Sequence, residues 1–99
     1  MKVNLQRIAT LLYVLADFVR NPIFKGQGEK VGKVVNTVGF VLVQTQLLDA
    51  DVDSLTEQIR SANNEGRPEL TPEQDKYWQD YHHANKAAIE DYFKKNPMG

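Results

Sequence analysis

The sequence predicts an all-α fold. Three helices over about residues 3–20, 29–64 and 72–95 pack as one small domain spanning 1–99. Three observations predict it. Apolar residues recur at alternating spacings of three and four, the period of one helix face. Asn, Gly and Pro cluster at two breaks, 21–28 and 63–70. The chain holds 41% hydrophobic and 25% charged residues, a balance that builds a core rather than a disordered tail.

The first helix takes its face from Leu5, Ile8, Leu12, Leu15 and Val19, widened by Leu11, Val14 and Phe18. Asn4 is its expected N-cap, and Arg20 complements the dipole in the last turn. Asn21-Pro22 stops it, because the residue before a proline is pushed out of the α region. Ile23 and Phe24 are apolar within the loop that follows, so they are expected to fold back onto the core.

The middle of the chain carries the longest pattern. Val31, Val34, Val38, Val41, Thr45, Leu48, Val52, Leu55, Ile59 and Ala62 keep one unbroken alternation, with Thr45 its single polar member. One helix over 29–64 is about 50 Å long at 1.5 Å per residue. β-branched residues repeat at one core position and leucine enters at the other, as two-stranded packing favours. The stretch from Val31 to Ile59 is therefore the expected oligomer seam, although the chain's own helices offer an alternative partner for it.

Residues 34–48 carry no charge, and Val35, Phe40, Leu42, Val43 and Leu47 lie off the seam. That half needs more than one neighbour, and the first helix is expected against it. From Asp49 the off-seam positions become charged, so one neighbour suffices: the C-terminal helix, folded back as an antiparallel hairpin. Valine and threonine enrichment with Gly39 raises a competing strand reading of 34–45. Continuation of the seam in register on both sides favours helix.

Thr71-Pro72-Glu73-Gln74 is a start signal. Thr71 caps, Pro72 fills the first helical position, and Gln74 completes a capping box. The packing face of this helix is read as Tyr77, Tyr81, Ala84, Ala88 and Tyr92. Tyr77, Trp78, Tyr81, Ile89, Tyr92 and Phe93 form a candidate partner surface, with closure of the core as the competing role.

Several chemistries are excluded. The chain has no cysteine, hence no disulfide, thiolate metal site or thiol chemistry. His82 and His83 are adjacent on a helix, so they point too far apart to share an ion; one is expected at a packing edge beside Trp78 and one in solvent. Asp49, Asp51 and Asp53 resemble the start of an EF-hand, but Ser54 and Arg60 stand where that loop needs glycine and glutamate. Gly26, Gly28 and Gly32 lack the spacing of a phosphate loop. No acid–base pair or activated nucleophile assembles, so neither catalysis nor a cofactor or metal is expected.

The net charge of −1 hides an asymmetry. Residues 1–48 hold six basic and two acidic residues, and 49–99 hold six basic and eleven acidic ones. The balance argues against nucleic-acid binding. A membrane span is disfavoured, because the uncharged run is shorter than the about 20 apolar residues a crossing needs and Arg7 and Asp17 interrupt the first helix. Peripheral attachment through the basic, apolar N-terminal half is the alternative. No signal-peptide pattern is present.

The stretch Glu65-Gly66-Arg67-Pro68-Glu69-Leu70-Thr71-Pro72-Glu73-Gln74, followed by Tyr77-Trp78, resembles the tail of small helical accessory proteins encoded by bacteriophages and prophages. The resemblance covers about residues 51–93; Pro68-Glu69 and the adjacent histidines depart from the pattern. It implies a location in the host cytoplasm or the virion, and a role in virion assembly or as a lysis accessory. The expected function is a non-catalytic structural or adaptor protein, a homo-oligomer that also binds another protein.

Overall fold

Among the described residues the chain forms four helices rather than three. The computed structural model describes residues 4–43 and 48–95, and only the backbone of Asn85, Ala88, Ile89, Tyr92 and Phe93. The helices are α1 (Leu5–Arg20), α2 (Gly28–Leu42), α3 (Asp49–Asn64) and α4 (Pro72–Lys95), with a 3-10 turn at Pro22–Phe24.

The single helix over 29–64 is thereby corrected to two. α2 ends at Leu42, and α3 begins at Asp49 after Leu48 in extended backbone. β-branched residues and Gly39 lower the helix propensity of α2. Asp49 and Asp51 in the first turn of α3 complement a helix N-terminus there. The 3-4 phase survives the break because α2 and α3 turn the same face to one core. Helix, not strand, covers residues 34–42; Thr45 and the rest of 44–47 lie outside the described residues.

The helix partners are exchanged as well. α1 lies chiefly along α3 rather than on the valine-rich half, and α2 lies beside α4 and α3. α1 and α3 run parallel: the Asn4 N–H donates to Asp49 Oδ1 at one end, and Asn21 Nδ2 donates to Asn63 Oδ1 at 2.6 Å at the other. α4 runs antiparallel to α3, tied by Trp78 to Gln58 and by Tyr81 to Asp51. Alongside α2 it runs parallel, from Lys30 near Glu69 to Phe40 stacked on His82.

The core is one cluster: Leu11 and Phe18 of α1, Phe24, four valines of α2, Val52, Leu55, Ile59 and Ala62 of α3, Leu70, and Trp78 of α4. Phe24 folds back as expected, its ring 4.9 Å from that of Phe18, whereas Ile23 stays exposed. The caps match the sequence. Asn4 accepts from the Gln6 N–H at 2.8 Å. The Thr71 and Gln74 side chains accept from each other's backbone N–H at 3.1 and 3.0 Å. α3 ends in a Schellman turn, with the Arg67 N–H donating to the Ala62 carbonyl at 2.8 Å and Gly66 at φ +69°. A side chain there is strained by that φ alone.

Candidate interaction surface

α1 carries two apolar faces, and the core uses one. Leu11 and Phe18 are fully buried, with Val14 and Leu15 packed against the cluster. On the same side Arg7 reaches Asp53 and lies 3.8 Å from Asp49, both on α3. This orients α1 by its 7, 11, 14, 18 positions, spaced 4-3-4. The face read from the sequence as the packing face points elsewhere. Leu5 is 80% exposed, Leu12 47% and Val19 47%, while Ile8 and Leu15 are half-buried along its edge.

No charge interrupts that outer face. At 100° per residue, Leu5, Ile8, Ala9, Leu12, Ala16 and Val19 fall in one arc, and Gln6, Thr10 and Asp17 fall on the far side. Arg20, beside this face in the last turn of α1, is paired with Asp17 at 3.2 Å. The other cation of α1, Arg7, is held by the α3 carboxylates. Two of the N-terminal basic residues thus meet acidic partners of the second half inside the chain: Arg7 at Asp49 and Asp53, and Lys30 at 3.9 Å from Glu69.

The valine-rich seam is occupied by the chain itself. Val31, Val34, Val38, Val41, Val52, Leu55 and Ile59 are all buried among α1, α2, α3 and α4. Leu48, at the break, is exposed, and Thr45 lies outside the described residues. The burial these residues need is therefore supplied without a second copy.

The aromatic cluster divides. Trp78 is a core residue, 1% exposed, and its Nε1–H donates to Gln58 Oε1 at 2.7 Å. Tyr81 is half-buried and its hydroxyl donates to Asp51 Oδ2 at 3.1 Å; burial first and this hydrogen bond second push its pKa up to about 12. Tyr77 stands outward with its ring edge-on to Trp78. The side chains of Ile89, Tyr92 and Phe93 lie outside the described residues. Ala84, read as a packing residue, is exposed: the side of α4 turned to the other helices passes through Trp78, Tyr81 and His82 instead.

His82, one turn after Trp78 on the packed side of α4, stacks flat on Phe40 with centroids 3.9 Å apart, and its Nδ1 is buried without a hydrogen-bond partner among the described residues. His83 is exposed. Among the described residues no group of His, Asp and Glu is placed to hold a metal ion, and no helix is long and apolar enough to cross a membrane. A cleft between α1 and α3 is lined by Arg7, Thr10, Asp53, Thr56, Glu57 and Arg60. Arg7 and Asp53 are paired there, as are Arg60 and Glu57.

The signal for the outer face was in the sequence, in the width of the apolar arc of α1. Comparison with known proteins finds no matching family model, no matching curated protein and no matching solved structure.

Proposed function

We propose that the protein is a non-catalytic helical assembly module that associates with itself and serves as a structural or adaptor component. The observation that carries this reading is the uncharged outer face of α1, left in solvent by a core that closes without it. Contiguous apolar patches of this kind mark contact sites. The phage-like turn and capping sequence at 65–74 supplies the context: a part in virion assembly, in the host cytoplasm or the particle.

Attachment to an anionic membrane is the weaker reading. Interfacial helices that bind anionic lipid carry free Lys and Arg on their polar face, whereas Arg7 and Arg20 are both paired with aspartates. Sedimentation equilibrium at tens of micromolar, with flotation on anionic vesicles, tests the proposal. The expected result is a mass above the 11.3 kDa of one chain, with the protein left at the bottom of the gradient. A constant 11.3 kDa overturns self-association, and flotation released by salt replaces it with the membrane reading.

A further inference from the structure

The outer face of α1 has a pattern that fits one kind of occupant. Leu5, Ile8, Leu12, Leu15 and Val19 repeat at 3, 4, 3 and 4, the spacing at which one helix meets another. The core draws on one member of that spacing, Leu15 at its edge, and α1 reaches it chiefly through Leu11, Val14 and Phe18. We infer that this face binds the same face of a second copy, with the two α1 helices antiparallel across a two-fold axis at Leu12. The inference rests on the self-association proposed above and names its surface.

Side-chain size decides the orientation. Antiparallel pairing about Leu12 sets Leu5 against Val19, Ile8 against Ala16, Ala9 against Leu15, and Leu12 against its own copy. Each alanine receives a large residue, so the two surfaces interlock as core layers do. Parallel pairing sets alanine on alanine and Ile8 on Ile8, leaving gaps beside crowded positions. Antiparallel helices also place opposite dipole ends together. A second copy satisfies these conditions by itself, because a two-fold contact uses one patch twice.

The area sets the strength. The exposed parts of the five seam residues amount to roughly 400 Å² per chain, within the range of functional patches on monomers. Two such faces together bury about 800 Å², below the standard size of a specific interface and in the range of weak, transient contacts. A contact of that size is expected to be reversible and to depend on protein concentration. Anionic lipid is the less suited occupant, since the flanking arginines are already neutralised.

The absence of cysteine permits a direct test on the full chain. Leu12→Cys, Leu5→Cys, Val19→Cys and, on the polar side, Thr10→Cys are each treated with a short bis-maleimide at high and low protein concentration. Leu12→Cys is expected to yield covalent dimer several-fold faster than Thr10→Cys. Leu5→Cys alone is expected to stay monomeric, because its two copies lie about 21 Å apart along the axis, yet to link when mixed with Val19→Cys. Equal linking of Leu5→Cys and Val19→Cys each with itself overturns the antiparallel orientation. A wild-type dimer in which Leu12→Cys links no faster than Thr10→Cys overturns this surface and leaves self-association standing. A wild-type chain that stays at 11.3 kDa overturns both. Vesicle flotation lost in Leu12→Glu assigns the face to lipid and overturns the proposal.

Discussion

α1 and α3 are the same length, lie parallel and in contact, and each carries an apolar 3-4 repeat, yet they use it in opposite ways. In α3 the repeat Val52, Leu55, Ile59, Ala62 is entirely buried. In α1 the repeat Leu5, Ile8, Leu12, Leu15, Val19 stands half outside. The difference is set by what surrounds each stripe. α3 is charged or polar nearly everywhere else, with Asp49, Asp53, Glu57 and Arg60 exposed or half-exposed, so it has one orientation. α1 is apolar over a wide arc, and several rotations would bury comparable area. Phe18, the largest wholly apolar side chain of α1, and Arg7 facing the α3 aspartates select one of them. A periodic stripe establishes that a helix has a face; the width of the apolar arc determines whether that face is the one buried.

Substitutions in α3 are expected to have the largest effect. Leu55→Asp puts an unpaired carboxylate into the centre of the core, and loss of the cooperative thermal transition by circular dichroism is the expected outcome. Leu55→Ala leaves a cavity and costs about 2–5 kcal/mol, measured by urea unfolding. Leu12→Ala, the matching change in α1, removes a half-exposed leucine and costs less than about 1 kcal/mol. Equal losses at the two positions would show that the outer face of α1 is part of the fold. Arg7→Gln removes ion pairs whose side chains are about half exposed; solvent screening holds the expected loss to about 0–1 kcal/mol, diminishing in high salt.

The α3–α4 contact adds a pH test. The Tyr81 phenol is pushed up to about 12 by burial and by its hydrogen bond to Asp51, against about 10 in an unfolded chain. The unfolded state therefore loses this proton first as pH rises. The stabilisation is fully present below pH about 10 and is lost as pH climbs through about 12. Unfolding followed at alkaline pH is expected to show that decline, and Tyr81→Phe to remove this contribution to it.

Much of the local structure was legible. Asn4, Asn21-Pro22, Gly66 and the Thr71–Gln74 box are short-range signals whose hydrogen bonds reach only a few residues, and each acts in the structure as its chemistry dictates. The break after Leu42 was hidden by the preserved heptad phase: two helices facing one core can share a register that reads as one helix. Trp78 was ambiguous because an aromatic anchor and a core aromatic look alike in sequence. Gln58, on the next helix, settles its role by accepting the indole N–H. The outer face of α1 was named residue by residue but assigned to the interior, since nothing local tells which of two adjacent apolar faces Phe18 will choose.

The proposed dimer requires a core that closes while the outer face of α1 stays exposed. Sedimentation equilibrium of wild type and Leu12→Glu, with far-ultraviolet circular dichroism on the same samples, tests it most directly. Identical helical spectra are expected, with a wild-type mass that rises with concentration from 11.3 kDa toward twice that value and a variant that stays at 11.3 kDa. A variant that loses its helical spectrum, or two proteins with the same mass at every concentration, would contradict it.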